Sequence, residues 1–376
     1  MLLSKLLRRL GKALLYLILL VAIIPVAGLA FGFLSTDALD TAPLTGLADI
    51  GPPSELAARV RADIPGYQRP QQATFLGYPR WSIAYAARDY ADFVKENAPS
   101  GFPYWSYIGR YWRDYATTAR ASSGYPLDLE QQAMLVAVGT GYTIAGIVEW
   151  AYENTIGRVT LASANGRTAV DNYLAGTATA YADFLERAPW YWFPYSEKRA
   201  GLMAVERAPG DDELRTSERR WAFGLAYWIE QACANLVRPD EAAASDPASP
   251  DIYVWVKGPI GEAVRGEEDA LLERDLGSEG TIVVAKPGRS LTDMIPRLID
   301  RGVSFVEIGG NDEIMMTVLS ADAVSAPNGS RTLFEYELPA DPGERRTALV
   351  VAVGKLDTVV PALLKDGATL ERVYDY

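Results

Sequence analysis

Leu291-Thr-Asp-Met-Ile-Pro296-Arg-Leu298-Ile-Asp-Arg-Gly302-Val-Ser-Phe305 is repeated 65 residues later as Leu356-Asp-Thr-Val-Val-Pro361-Ala-Leu363-Leu-Lys-Asp-Gly367-Ala-Thr-Leu370. Leu, Pro, Leu and Gly are identical at matching positions, and the apolar residues between them correspond at the same offset. Ser290 opens the first helix, with Asp293 placed as its capping-box partner. Gly302 closes that helix, and each copy has a β-rich run before and after it.

Around these two units Ile252 to Val256, Thr281 to Lys286, Val303 to Ile308, Glu313 to Leu319 and Thr332 to Leu338 read as strands. Strand–helix–strand twice, with extra strands between, predicts a ferredoxin-like α+β domain (a duplicated βαβ) over residues 251–376, its helices on one face of an antiparallel sheet. Before it, Pro239 to Pro250 has the composition of a linker.

Residues 81–238 read as an all-α, aromatic-rich domain. Ile83, Ala86, Ala87, Tyr90 and Phe93 share one helical face. Asn97 to Pro103 is a turn, and Tyr104 to Arg120 is a helix with Trp105, Ile108, Trp112, Tyr115 and Ala119 on one face. Ala133 to Val148 is uncharged and is expected as a central helix buried on all sides, with Gly139, Gly141 and Gly146 admitting close neighbours. Val170 to Leu185 makes another helix. Trp221, Leu225, Trp228, Ala232 and Leu236 make the apolar face of a last one.

Residues 35–80 carry Pro43, Pro52, Pro53, Pro65, Pro70 and Pro79 without sustained periodicity, the mark of a stalk. Met1 to Leu34 reads as a membrane anchor: Lys5, Arg8, Arg9 and Lys12, then no charge from Ala13 to Leu34. About 20 apolar residues cross the ~30 Å hydrocarbon core as a helix. Basic residues stay inside, so the expectation is a single-pass signal-anchor in the cell (inner) membrane, N-terminus cytoplasmic, with the bulk on the exported, periplasmic side.

The chain of 376 residues has a net charge of −12, which argues against nucleic acid as a partner. Residues 251–376 hold 22 acidic and 13 basic side chains, and this domain should stand off from anionic headgroups. There is no histidine. That removes Ser-His-Asp and Cys-His catalysis, histidine zinc or iron sites and histidine-ligated haem. No metal site and no cofactor are expected. The single Cys233 forms no internal disulfide and is expected as a small buried helix residue.

Three carboxylates are candidates for acid–base work: Glu149 and Glu153, one helical turn apart, and Glu230 in an otherwise almost apolar helix. The structural expectation for Glu149 and Glu153 is to face solvent or pair with arginines, and for Glu230 to be a paired buried charge. Trp105, Arg110, Trp112 and Arg113, with Trp190 and Trp192, combine Trp and basic residues as a membrane interface or an amphiphile pocket does. Together these features predict a membrane-anchored, non-catalytic accessory, assembly or scaffolding protein with a membrane-protein partner. The alternatives are a lipid- or amphiphile-binding protein and a carboxylate-dependent enzyme.

Overall fold

The computed structural model describes residues 22–37, 44, 54–164, 166–238, 251–264, 267, 269–338 and 343–375. The basic head, the first residues of the apolar run and the linker at 239–250 lie outside the described residues. The fold is mixed α+β, a helical N-terminal part followed by two four-stranded antiparallel sheets. It divides into two compact units. Met1–Phe31, Arg80–Trp112 and Val136–Ser245 form the helical unit; Gly32–Pro79, Arg113–Leu135 and Asp246–Tyr376 form the sheet unit.

In chain order the helices are α1 Ala22–Leu34, α2 Ser54–Asp63, α3 Ala73–Glu96, α4 Tyr104–Ala121 and α5 Leu129–Tyr152. A π turn, Glu153–Gly157, leads into α6 Arg158–Ser163, followed by α7 Ala169–Leu185, α8 Tyr195–Ala204 and α9 Glu213–Val237. The first sheet contains β1 Ile252–Lys257, β2 Ala270–Asp275, β3 Thr281–Ala285 and β4 Ser304–Ile308, with α10 Ile260–Ala263 after β1 and α11 Arg289–Asp300 after β3. The second contains β5 Glu313–Ser320, β6 Ser330–Glu337, β7 Arg345–Ala352 and β8 Thr369–Tyr374, with α12 Leu356–Lys365 after β7.

The sheet unit forms two four-stranded antiparallel sheets where one was expected. Strand order is β2-β3-β1-β4 in the first and β6-β7-β5-β8 in the second, the same order twice. All pairs are antiparallel. Each repeated glycine is left-handed, Gly302 at φ 80° and Gly367 at φ 85°. Val303 N–H donates to Leu298 O and Ala368 N–H to Leu363 O, both at 3.0 Å, so both helices end in the same Schellman closure. The expected capping box is not made. Ser290 Oγ donates to Asp269 and Asp293 pairs with Arg289, while Gly288 holds the N-cap position.

The helices cross between the halves. α11 packs on β8, α12 packs on β4 as well as on β7 and β8 of its own sheet, and Val373 N–H donates to Thr292 Oγ1 at 3.0 Å. One aliphatic core therefore serves both sheets, from Val254, Leu291 and Leu298 to Leu349, Leu356 and Leu363. The segment expected as a stalk contributes to this unit. Ala57 and Val60 of α2, with Ile64 and Tyr67 just after it, bury against Trp255, Ile282 and Val306 on the other face of the first sheet. Their spacing is helical, and the prolines fall before and after α2. Arg120 donates to the carbonyls of Phe33, Thr36 and Asp37, a cation closing the C-terminal end of α1.

In the helical unit two sequence expectations are overturned. The α5–α6 run, Leu129–Ser163, is long and apolar enough to cross a membrane by length and composition, yet less than a fifth of its apolar window is buried. It is not a helix enclosed on all sides. Close approach holds at Gly139, where a Cβ would lie 2.1 Å from the Tyr111 ring, and at Gly146 against Ile108, but Gly141 faces open space. The apolar face of α9 points outward: Trp221 is 81% and Leu236 87% exposed, with Leu225 and Trp228 also exposed. Cys233 shares this outer surface and is exposed rather than buried. The cause lies on the opposite side of the helix.

Candidate functional site

The buried side of α9 presents Arg215 and Arg219, each only 1% exposed. Arg219 grips Glu153 with both terminal nitrogens, at 2.5 and 2.8 Å. Arg215 reaches Asp171 at 2.9 Å, the Gly157 carbonyl at 2.8 Å and Thr160 Oγ1 at 2.9 Å. Thr160 in turn donates to Glu218 at 2.9 Å. Asp171 sits at the N-terminal end of α7, where it completes a capping box with Thr168. Burial pushes its carboxyl up, but Arg215 and the Thr168 amide prevail and hold it below the usual range. Bidentate Arg–carboxylate pairs of this kind are the strong ones, and here they fix how α9 faces α7 and the π turn.

Gly157 is required at this point. A Cβ there would stand 2.5 Å from Glu153 Oε2. The π turn lets the chain deliver both the Glu153 carboxylate and the Gly157 carbonyl to the arginines. Such turns concentrate at functional positions, and nothing in hydrophobic periodicity signals one.

Glu149, one turn before Glu153, takes another path. It lies with Tyr90 of α3 and Tyr104 of α4, and its carboxyl is pushed up to about 7. Burial is the main cause and the Glu153 charge adds to it; Tyr90, Tyr104 and Arg219 pull the other way. Tyr104 is 4% exposed, and its hydroxyl meets no strict hydrogen-bond geometry. Glu230 is partly buried on α9, near Tyr181 of α7 and Tyr195 of α8. It makes no salt bridge among the described residues, contrary to the pairing expected of it, and burial raises its carboxyl above the ordinary range. Of the three carboxylates, then, Glu153 is an ion-pair partner, whereas Glu149 and Glu230 each sit beside two tyrosines.

The aromatic and basic candidates are dispersed. Trp105 is exposed and meets Trp150 edge-on at 5.4 Å. Arg110 lies over the Tyr107 ring. Trp112 is a core residue whose Nε1 donates to Thr143 at 3.0 Å. Arg113 is exposed and belongs to the sheet unit. Trp190 and Trp192 flank Tyr191 in a 3₁₀ turn, with Arg238 4.5 Å above the Trp192 ring. Among the described residues no group of three or more His, Cys, Asp or Glu is arranged to hold a metal ion.

Comparison with protein-family models, with curated proteins and with solved structures found no match to this chain.

Proposed function

We propose that this chain is a membrane-anchored, non-catalytic accessory or assembly protein whose helical unit docks through the outer face of α9 onto an apolar surface of a membrane-protein partner. The observation that carries the reading is the reversal of α9, with Arg215 and Arg219 inside and Trp221, Leu225, Trp228, Ile229 and Leu236 outside. Fully burying one such side chain is worth about 1.5–3 kcal/mol, and an exposed apolar patch of this breadth marks an interaction surface. The same unit exposes Val148, Trp150, Ile156 and Val159 on α5–α6.

In this reading only the N-terminal apolar run spans the bilayer, and both units lie on the exported side. The α5–α6 run is not taken as a second span because Glu149 packs with α3, and α3 carries the exposed ion pairs Arg88–Asp183 and Lys95–Asp92. Each half of the sheet unit is read as a ferredoxin-like repeat, supported by its strand order; α10 would be a shortened first helix in one half, replaced by residues 321–329 in the other.

The test is site-specific photocrosslinking in membranes from residue 221, 225 or 228. A discrete adduct with one membrane protein is the expected result. Adducts with lipid alone would turn the reading to amphiphile binding, which the Arg238–Trp192 stack favours. No adduct from any of the three positions would sink both. Topology reporters after Gly166 and after Tyr376 test the single span: both are expected outside.

A further inference from the structure

Tyr90-Ala-Asp-Phe93 recurs as Tyr181-Ala-Asp-Phe184, and Phe102-Pro-Tyr104 recurs as Phe193-Pro-Tyr195, all 91 residues apart. On the next helix Ala145, Val148, Glu149 and Ala151 correspond to Ala226, Ile229, Glu230 and Ala232 at a spacing of 81. The shorter spacing follows from α8, which has 10 residues where α4 has 18, and from the segment after it.

The geometry repeats with the letters. Tyr90 and Tyr104 have ring centroids 6.2 Å apart at 50°; Tyr181 and Tyr195 are 6.2 Å apart at 47°. Phe93 meets Phe102 at 5.6 Å and 65°, and Phe184 meets Phe193 at 5.4 Å and 72°. Phe102 to Tyr104 is 5.1 Å, and Phe193 to Tyr195 is 5.0 Å. A 3₁₀ turn precedes each Phe-Pro-Tyr, its cap residue at φ −65°, ψ 137° in one and φ −62°, ψ 138° in the other. Tyr104 N–H donates to Phe102 O and Tyr195 N–H to Phe193 O, both at 2.9 Å. Burial follows suit: Ala91 and Ala182 are enclosed, Tyr104 and Tyr195 are each 4% exposed, and Thr143 and Gly224 are the buried positions six residues before the two glutamates.

Sequence identity at fixed spacing, ring geometry and burial agree at every step from α3 to α5 and from α7 to α9. We infer that the helical unit is a second tandem duplication in this chain, and that each half retains one carboxyl–tyrosine site, Glu149 with Tyr90 and Tyr104 and Glu230 with Tyr181 and Tyr195, that takes up and releases a single proton. The aromatic residues alone would be accounted for by packing. The carboxyl would not, because removing an acid from water costs free energy unless it is paired, and the partly buried Glu230 makes no salt bridge among the described residues. Tyr90 and Tyr104 lie with the Glu149 carboxyl, whereas the Tyr181 and Tyr195 hydroxyls pair with each other close to Glu230, so each site sets tyrosine hydroxyls, which donate and accept, beside one carboxyl. The proton comes from water and returns to it, so the step needs no co-reactant.

Other charged and titratable groups face the two sites unequally. Glu149 has Glu153 on its own run and Arg219 of α9 nearby. Tyr227, whose hydroxyl interacts with Thr177, acts on Tyr195 and also on Glu149, while burial alone bears on Glu230. The two protons are therefore expected to leave at different pH, Glu149 near 7. This inference stands apart from the docking role of α9, since it concerns the interior of the unit.

Infrared titration of the full chain in detergent, read at the protonated-carboxyl stretch, tests it. The expected record has two titrating bands; Glu149→Gln removes one, Glu230→Gln removes the other, and the double variant removes both. Tyr104→Phe shifts only the first midpoint, upward, and Tyr195→Phe shifts only the second, which keeps the test alive should either Gln variant fail to fold. Bands that survive both Gln substitutions, or a Tyr104→Phe change that moves the Glu230 band instead, would overturn it.

Discussion

In the sheet unit Val254, Leu298, Leu349 and Leu363 lie inside, while ion pairs such as Lys286–Asp251 and Arg289–Asp293 lie at the surface. In the helical unit α9 inverts that arrangement, enclosing Arg215 and Arg219 and presenting Trp221, Leu225, Trp228 and Leu236. Each unit carries an internal repeat, of strand order in one and of Tyr-Ala-Asp-Phe and Phe-Pro-Tyr in the other, so repetition does not account for the contrast. It reflects what each surface must meet. A water-facing fold gains nothing from exposed tryptophans and loses desolvation free energy on enclosed charges. In the proposed reading the sheet unit meets water, although it too encloses a pair, Arg346 with Glu371, and the helical unit meets an apolar partner along α9.

The inversion breaks most readily at its charged interior. Arg219→Met leaves Glu153 enclosed without its partner and is expected to cost about 3–5 kcal/mol. Eight of the nine tryptophans belong to the helical unit and only Trp255 to the sheet unit, so denaturation followed by tryptophan fluorescence reads the loss where it occurs. Restoring neutrality with Glu153→Leu beside Arg219→Met should recover most of it, because a well-packed apolar pair does as well as a buried ion pair. A double variant no more stable than the single one would mean that the pair is needed for its geometry rather than its charge balance.

The matching change in the sheet unit is truncation of aliphatic core. Leu298→Ala and Leu363→Ala remove equivalent buried residues of α11 and α12, and each is expected to cost about 2–5 kcal/mol. Their effects should be similar to one another, since the closures that follow the two leucines are the same. Hydrogen exchange in β1 and β5 measures this. A large asymmetry would show that the two halves share their common core unequally.

The readable and unreadable parts of the sequence divide along the same line. Leu298 and Leu363, with Gly302 and Gly367, made the sheet duplication plain, because an aliphatic core and a left-handed glycine each leave a residue-level mark. That the strands close into two sheets was not readable, since β2, with Leu271 and Leu272 exposed, lacks a clean alternation. For α9, periodicity located the helix and its stripe, but a stripe carries no sign and does not say which side turns inward. The arginines four residues apart, Arg215 and Arg219, were the available hint. The duplication of the helical unit was legible in Tyr-Ala-Asp-Phe and Phe-Pro-Tyr at one spacing, whereas the π turn at Glu153 depends on tertiary partners and leaves no pattern.

Within the helical unit the pH response separates the two kinds of buried carboxylate. Glu149 is raised to about 7 by burial, so the folded state binds a proton that the unfolded chain has already released above its ordinary value of 4.5. Its contribution is therefore fully present below that value and is lost as pH rises towards 7, by no more than about 3 kcal/mol. Asp171, held low by Arg215, acts in the opposite sense and loses its contribution as pH falls below the ordinary aspartate range. Glu149→Gln should flatten the decline between pH 4.5 and 7 and leave the acid limb unchanged. An unaltered decline in denaturation midpoints over that interval would remove Glu149 as its source.

The smallest effect on folding is expected at the most conspicuous residue. Trp221 is among the most exposed large side chains, and replacing it with Ser removes little packing from the folded state. Helix propensities of Trp and Ser are close, so Trp221→Ser should change the stability of the intact protein by no more than about 0.5 kcal/mol. A residue that contributes so little to its own fold has to be explained by something outside it, and this is what ties the comparison of the two units to function. If α9 docks onto a partner, the same substitution weakens photocrosslinking from residue 225 or 228 while the unfolding midpoint stays where it was. A stability that falls by about 2 kcal/mol or more would instead show that Trp221 is covered within the protein itself, and the apparent inversion of α9 would lose its outer half.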